Sequence, residues 1–267
     1  MATEGENAFQ LLSSTRFDPY LTSLHWNDDE DGPCSFFLLP LHFQRLASGA
    51  ETHSWTHAKS LLDYRALKLA CINAVSEQDY CSSSAPAVYR IRIAVSVQGR
   101  IAVTATSLPA SFASDPTLLP IPDSLAMHES HHDPVLRIYI DKEVTAPTIF
   151  TRTKTTFRNM YDSAKTRNES QWRSGPEGVA WDILLYNQGN QIMEATIFNV
   201  AFLRSSKWIT PCSSTGCLPG VLRRWLLDNG RIIEDTKGQL SKDTLKNGEW
   251  VLLFNGVQGV RLGKIYI

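Results

Sequence analysis

The sequence lacks the features that mark membrane, secreted and nucleic-acid-binding proteins. No apolar run approaches the roughly 20 residues of a membrane span, and the acidic N-terminus MATEGENAF has neither the basic nor the apolar segment of a secretory signal. The formal net charge is −1, with 26 Lys and Arg against 27 Asp and Glu, which argues against broad nucleic-acid binding. The 267 residues, of which 43% are hydrophobic and 20% charged, fit a globular protein of enzyme size.

Cysteine is scarce and predicts neither a disulfide framework nor a metal site. The five cysteines form an odd, scattered set, which favours reduced thiols in a cytoplasmic compartment: Cys34, Cys71, Cys81, Cys212 and Cys217. The last two are five residues apart, a poor match to the spacing of zinc sites. Three histidines could bind a metal, but a histidine-bearing loop is the simpler interpretation: His128, His131 and His132. We therefore expect no metal.

The order of periodic segments predicts an α+β fold with two domains. We expect a small N-terminal domain over 1–110 and a larger C-terminal domain over 135–267, joined by a proline-rich connector over 111–134. Strict alternation within 87–97, followed by a return at 101–106, predicts a hairpin. Further strands are predicted at 35–39, 136–140, 179–186, 191–194, 199–203, 249–255 and 260–267, and helices at 43–47, 59–71, from 154 onward and at 219–229.

One lysine has the surroundings of a nucleophile. Lys154 lies between Arg152 and Arg158, and like charges lower the pKa of an ammonium group. A lysine with a lowered pKa can attack a carbonyl carbon near neutral pH. From spacing alone, the alternative of a solvated basic patch at a helix start is favoured.

Three further features could bind an anionic or cationic group. The Gly- and Pro-rich loop from Thr210 to Arg223 leads into a helix, where the backbone N–H groups of Gly220–Leu222 could hold a phosphate. Arg45 lies on a helix with an apolar opposite face and could bind phosphate oxygens, although a surface salt bridge is the simpler interpretation. Glu194, which is followed by Asn199, could bind a cationic group such as a protonated ring nitrogen, although an isolated glutamate is usually a surface charge.

Taken in order, these features resemble one family over nearly the whole chain. From Phe9 to about Val260, the sequence is similar to the class IV, fold type IV enzymes of pyridoxal 5′-phosphate, which include branched-chain and D-amino-acid aminotransferases and 4-amino-4-deoxychorismate lyases. The lyase branch is the nearest pattern. The resemblance rests on five segments: Phe9–Pro19, Phe36–Ala47, Lys154–Arg158, Glu194–Asn199 and Thr210–Arg223.

The resemblance implies a role for each candidate residue. Lys154 would bind the cofactor covalently and move protons, and Glu194 would keep the pyridine nitrogen protonated, so that the ring acts as an electron sink. Arg45 and the N–H groups of Val221 and Leu222 would bind the phosphate, and Arg158 would lie near the phenolic oxygen. The remaining cofactor contacts are assigned to Asn199, Asn255 and Gly256.

The resemblance also implies a substrate class and an assembly. A lyase of this type eliminates pyruvate from aminodeoxychorismate and leaves 4-aminobenzoate, a folate precursor. The anionic substrate needs cations, for which Arg16, Arg90 and Arg92 are the candidates. The family's active sites lie near a subunit interface, so we expect a homodimer. The apolar run Phe36–Leu39, flanked by Trp26 and Trp55, could supply apolar interface surface or could simply fill the core.

Two alternative functions follow from the same residues. A class IV aminotransferase, selective for branched-chain or D-/R-amines, would use the same lysine and glutamate. A degenerate cofactor-binding scaffold is suggested only by departures from the family pattern. Phe157 stands where Asn is frequent, Leu222 where Thr is frequent, and Gly256 where a Ser or Thr often binds phosphate.

Overall fold

The chain divides into two compact units that differ from the expected domains. A computed structural model describes residues 9–79, 87–109, 114–120 and 135–267. The first unit is Met1–Pro116 with Thr153–Phe157, and the second is Thr117–Arg152 with Arg158–Ile267. The expected boundaries at 110 and 135 therefore do not account for the five residues around Lys154, which belong to the first unit. Most of the expected connector, 111–134, lies outside the described residues, together with its three histidines.

The α+β class is confirmed in both units, and the first unit is a three-stranded antiparallel sheet covered by helices. Its strand order is β1-β2-β3, and the predicted hairpin is confirmed as β2 and β3. Alternate strand residues such as Leu11, Ile91 and Ile93 pack against Leu46 and Leu67 of the helices. The elements are β1 (Leu11–Phe17), α1 (Leu39–Thr52), α2 (Thr56–Leu61), α3 (Tyr64–Asp79), β2 (Val88–Val95) and β3 (Ile101–Leu108).

The predicted strand at 35–39 is wrong: Phe36 forms an isolated bridge with Phe17 of β1, the side chain of Asn27 bonds nearby backbone groups, and α1 begins at Leu39. Asn27 Nδ2 donates to the carbonyls of Cys34 and Phe36 at 2.7 and 3.2 Å, and its Oδ1 accepts from Leu38 N at 2.8 Å. The predicted helix at 59–71 is in fact two helices. Asp63 Oδ1 accepts from Ala66 N at 2.8 Å, an N-cap that begins α3 separately.

The second unit is built on an eight-stranded mixed sheet in the order β6-β5-β4-β11-β10-β7-β8-β9. The pairs β4–β5, β4–β11 and β8–β9 are parallel, and the others are antiparallel. The elements are β4 (Leu136–Ile140), α4 (Ile149–Arg152), α5 (Asn159–Arg167), α6 (Glu169–Arg173), β5 (Trp181–Tyr186), β6 (Ile192–Ala195), β7 (Asn199–Arg204), β8 (Lys207–Thr210), α7 (Val221–Asp228), β9 (Ile233–Glu234), β10 (Trp250–Asn255) and β11 (Gly259–Tyr266).

Both faces of this sheet are apolar. In β5, Leu184 and Tyr186 belong to one buried cluster, whereas Ile183 and Leu185 belong to another that includes Tyr161 of α5. Successive side chains of a strand point to opposite faces, so a strand covered on both faces is apolar throughout. This covering places α5 and its tyrosine beside the end of β6.

Cys34, Cys71, Cys212 and Cys217 are free thiols. Among the described residues, no helix has the length and apolar character needed to cross a membrane.

Candidate active site

The second unit brings Glu194 and Asn199 together around a buried carboxylate. Glu194 is 3% exposed at the end of β6. Its Oε2 accepts from Asn199 Nδ2 at 3.2 Å, and its Oε1 accepts from the Tyr161 hydroxyl at 2.8 Å. Asn199 Nδ2 also donates to the carbonyl of Leu218 at 2.8 Å. Hydrogen bonds on both oxygens favour the ionised carboxylate, which is the form that would hold a protonated ring nitrogen.

Tyr161 is the member of this cluster that the sequence analysis missed. Burial, and then the negative charge of Glu194, raises the pKa of Tyr161 well above its ordinary value, so the phenol stays a donor. The Arg158 guanidinium lies 4.8 Å from the centre of its ring. The hydroxyl and the carboxylate are 33 positions apart in sequence, and no local spacing marks the pair.

Replacing Tyr161 with Phe should destabilise the protein by about 1.5–3 kcal/mol, because a buried hydrogen bond to a charged group is lost. Urea unfolding of the two proteins measures this difference. Tyr186→Phe is the matched control, since Tyr186 is also buried and its hydroxyl makes no hydrogen bond to the described residues. Equal stability of Tyr161→Phe and the parent protein would contradict the assigned hydrogen bond.

The turn between Glu194 and Asn199 is held from two sides. Asp182 of β5 accepts from the Thr196 hydroxyl and from the backbone N–H groups of Thr196 and Ile197, the latter two at 3.2 and 3.1 Å. Arg158 Nη2 donates to the carbonyl of Thr196 at 2.9 Å. Arg158, expected near a phenolic oxygen, therefore supports the turn that carries the glutamate.

The helix predicted after the Gly- and Pro-rich loop is α7, but the N–H of Gly220, one of the three predicted phosphate donors, already donates to the carbonyl of Leu218 at 2.9 Å. The N-cap is Gly220, which makes no side-chain capping bond, and the first helical residues Val221 and Leu222 are buried. The first N–H groups of a helix have no intrahelical acceptor, and the helix dipole favours an anion there. A Cβ on Gly220 would lie 1.9 Å from Asn199 Oδ1, so this glycine is needed for the close approach of the asparagine.

Gly220→Ala should therefore displace Asn199 and cost about 1–3 kcal/mol of stability, as overpacking does. Thermal unfolding with and without added pyridoxal 5′-phosphate is the measurement, and the variant should gain less from the ligand than the parent. Gly189→Ala is the control, because its Cβ would make only an ordinary contact at 3.4 Å. If the two variants unfold alike, the tight approach at Gly220 is not needed.

Asn255 and Gly256 form the turn between β10 and β11. Asn255 Oδ1 accepts from Val257 N at 2.9 Å and from Gln258 N at 2.8 Å. Its Nδ2 donates to the carbonyl of Ile197 at 3.3 Å, which ties this turn to the Glu194–Asn199 turn. Gly256 is buried in the same turn. The asparagine side chain is thus engaged with backbone groups.

In the first unit, Lys154 lies in an extended segment that pairs with β1. Its carbonyl accepts from Leu12 N at 2.9 Å, and Thr156 N donates to the carbonyl of Gln10 at 2.9 Å. The helix expected from 154 onward begins only at Asn159. The half-buried lysine is therefore held by strand-like backbone pairing and not by a helix.

Arg45 is a half-buried cation without a carboxylate partner among the described residues. Its Nη2 donates to Ser13 Oγ at 2.6 Å and lies 3.3 Å from His42 Nδ1. Its Nε is buried and makes no hydrogen bond within the described ranges. Burial lowers the pKa of Arg45 to about 10. A half-buried, uncompensated guanidinium is suited to binding an anion.

The three substrate candidates lie on one face of the first sheet. Arg16 is opposite Arg90 and Ser14 is opposite Arg92 in the antiparallel register, so the three arginines share the face turned away from the core. Arg16 is fully buried and pairs with Asp18 at 3.3 Å, and burial lowers its pKa to about 10. Arg90 is exposed and Arg92 half-buried, and neither has an ion pair to a described residue.

Comparison with known proteins assigns the family. The model of amino-transferase class IV matches residues 24–264, and the chain belongs to this family of pyridoxal-phosphate-dependent enzymes. The Saccharomyces cerevisiae aminodeoxychorismate lyase is 28% identical over 261 residues, which cover 86% of this chain and 67% of that protein. A Schizosaccharomyces pombe protein, provisionally named aminodeoxychorismate lyase, is 50% identical over 114 residues, which cover 43% of this chain. That match spans about half the length of the relative, 47%.

Solved structures confirm the fold type IV architecture. The Escherichia coli branched-chain amino acid aminotransferase superposes with a TM-score of 0.59 at 16% identity, covering 96% of this chain and 76% of that one. A Mycobacterium tuberculosis aminotransferase, solved with α-ketoglutarate and PMP bound, gives a TM-score of 0.60 at 14% identity, with 95% and 80% coverage. At these identities the likeness shows the fold alone.

Proposed function

We propose that this protein is a pyridoxal-phosphate-dependent 4-amino-4-deoxychorismate lyase that releases pyruvate and 4-aminobenzoate. The observation that supports it most is the pair of groups at the family's motif positions: the Arg45 guanidinium, whose buried Nε has no acceptor among the described residues, and the buried Glu194 carboxylate, which accepts two hydrogen bonds. The names of the two yeast relatives favour the lyase over other reactions of the family.

The described residues fit the cofactor. Arg45 has a buried Nε–H that lacks an acceptor among them, and the N-terminus of α7 has no side-chain cap, so both can serve a phosphate. Glu194 is a carboxylate held by donors and suited to a protonated ring nitrogen. The residues that would serve the cofactor are thus Lys154, Arg45, Glu194, Arg158 and the N-terminal residues of α7. Asn199 and Asn255 would hold these groups in place.

Different residues of the chain would carry out different steps of the reaction. Bound pyridoxal phosphate supplies an electron sink for the carbon next to the substrate amine. Lys154 would take the proton from that amine-bearing carbon. Glu194 would keep a proton on the ring nitrogen. The bond between the substrate ring and the enolpyruvyl oxygen then breaks, its electron pair leaves with the oxygen, and a proton converts the enolate to pyruvate. Loss of the proton and the enolpyruvyl group makes the substrate ring aromatic.

For the dianionic substrate, the exposed Arg90 and half-buried Arg92 are the better candidates, since Arg16 is already paired with Asp18. Arginine binds carboxylates through paired N–H groups. Arg92 lies opposite Ser14 and Thr104 in the sheet register, so hydroxyl groups accompany it on that face.

Incubation with aminodeoxychorismate tests the proposal. Pyruvate and 4-aminobenzoate should appear in equal amounts from the cofactor-loaded protein without any keto acid. Transfer of an amino group to a keto acid, with no pyruvate released, would favour the class IV aminotransferase, which uses the same Lys154 and Glu194. A protein that binds the cofactor but releases no pyruvate and transfers no amino group would favour the scaffold.

We also infer a homodimer in the cytoplasm. The dimer rests on the family resemblance, because Phe36, Phe37, Leu38 and Leu39 are buried in the core of the first unit and so cannot provide interface surface. A two-fold pair should elute near twice 29.9 kDa and stay there on dilution, since obligate interfaces are large and apolar. Sedimentation of a fully active monomer would contradict the dimer. The cytoplasmic location is supported by the free thiols of the four described cysteines.

A further inference from the structure

A buried hydrogen-bonded triad surrounds one nitrogen of Arg45. Arg45 Nη2 donates to Ser13 Oγ at 2.6 Å and lies 3.3 Å from His42 Nδ1, while Ser13 Oγ lies 2.8 Å from the same Nδ1. Ser13 belongs to β1, and His42 and Arg45 belong to α1. Ser13 and His42 are fully buried. The triad therefore joins a strand and a helix around a single guanidinium nitrogen.

The chemistry of the three groups fixes the direction of each hydrogen bond. A guanidinium can only donate, so the His42 Nδ1 that faces it is an acceptor. Burial, followed by the charges of Arg45 and Lys154, holds the pKa of His42 well below its ordinary value, so the ring is neutral. With Nδ1 as the acceptor, the proton is on Nε2, which is buried and makes no hydrogen bond to the described residues. Ser13 Oγ then accepts from Arg45 and donates to His42.

The triad orients Arg45 without neutralising it. A carboxylate in this position would compensate the guanidinium charge, whereas a hydroxyl and a neutral imidazole fix Nη2 and leave the full positive charge. The Nε of Arg45 is buried and has no acceptor among the described residues. A buried N–H without an acceptor is costly unless a ligand supplies one.

We propose that Ser13 and His42 are positioning residues. They hold the guanidinium of Arg45 so that its Nε–H and its positive charge stay available to bind the cofactor's phosphate. This inference rests on the proposed function, which assigns the phosphate to Arg45. It adds two residues to which the family resemblance assigned no role. Ser13 is 29 positions from His42 and 32 positions from Arg45 in the sequence, and the contact between β1 and α1 brings them together.

The test is a ratio of two affinities measured on the full chain freed of cofactor. Pyridoxal 5′-phosphate and pyridoxal differ only in the phosphate, so a general loosening of the protein weakens both and leaves their ratio unchanged. Arg45→Ala should lower the ratio by about a hundredfold, and Ser13→Ala and His42→Leu by about tenfold each. His42→Asn, which places an amide oxygen near the Nδ1 position, should restore most of the ratio.

The possible outcomes distinguish the positioning role of Ser13 and His42 from the phosphate-binding role of Arg45. A lowered ratio in Arg45→Ala, with unchanged ratios in Ser13→Ala and His42→Leu, overturns the positioning role and leaves the proposed phosphate site intact. An unchanged ratio in Arg45→Ala overturns both. If His42→Leu does not fold, His42→Gln replaces it, because its amide reaches past the Nδ1 position and should lower the ratio where His42→Asn does not.

Discussion

Lys154→Ala should abolish turnover, with a loss of at least about a thousandfold, because the lysine is assigned both covalent attachment of the cofactor and the proton transfer. The fold should persist, since the segment is held through backbone groups: Leu12 N donates to the carbonyl of Lys154, and Thr156 N donates to that of Gln10. Alanine keeps both bonds.

A chemical readout makes this result independent of activity. Borohydride reduction of the loaded parent protein should leave the cofactor on the peptide that contains Lys154, and mass spectrometry of the digest should find it there. Lys246→Ala is the control, since Lys246 is an exposed lysine. Cofactor fixed to another lysine, or retained visible absorbance in Lys154→Ala, would overturn the assignment.

Glu194→Gln should lower the turnover rate of the cofactor-saturated enzyme by about a hundred- to a thousandfold, on the scale of a lost electrostatic stabiliser. The amide keeps the shape of the side chain but removes the charge that would hold the ring nitrogen protonated. It also sets an NH₂ group against the donors of Tyr161 or Asn199. The variant should still bind cofactor through Arg45.

Cofactor content and rate are therefore measured separately. Glu169→Gln, which also removes one negative charge but lies on α6, should retain the parent rate. A Glu194→Gln variant that binds cofactor fully and turns over at the parent rate would eliminate the role of the carboxylate.

Local patterns predicted the elements whose geometry is set by neighbouring residues in the chain. The alternation of 87–97 gave β2, and Pro219 and Gly230 bracketed α7. The strand expected at 35–39 is wrong because the segment forms one isolated bridge with β1 before α1 begins at Leu39, and the side chain of Asn27 bonds other backbone groups there. The uninterrupted helix at 59–71 failed because the N-cap role of Asp63 outweighed the apolar spacing.

The residues of the candidate site also differ in how far the sequence predicted them. Arg45, Lys154 and Glu194 were reached through motif resemblance, with weak local signals of their own. Tyr161 and Ser13 were missed because each meets its partner only after α5 or β1 has packed. His42 could have been suspected from its position three residues before Arg45 on one helix face, but its acceptor role depends on the neutral ring that burial favours and on the guanidinium that faces Nδ1.

The pairing of residues 153–157 with β1 has a consequence for synthesis of the chain. The polypeptide leaves the first unit after Pro116 and returns only at Thr153, so β1 lacks one backbone partner until that segment emerges from the ribosome. A nascent chain ending near 116 would carry the three-stranded sheet with the N–H of Leu12 and the carbonyl of Gln10 still hydrated. The first unit is therefore completed only after Phe157 has left the ribosome, and the segment that carries Lys154 is the last part of this unit to pair.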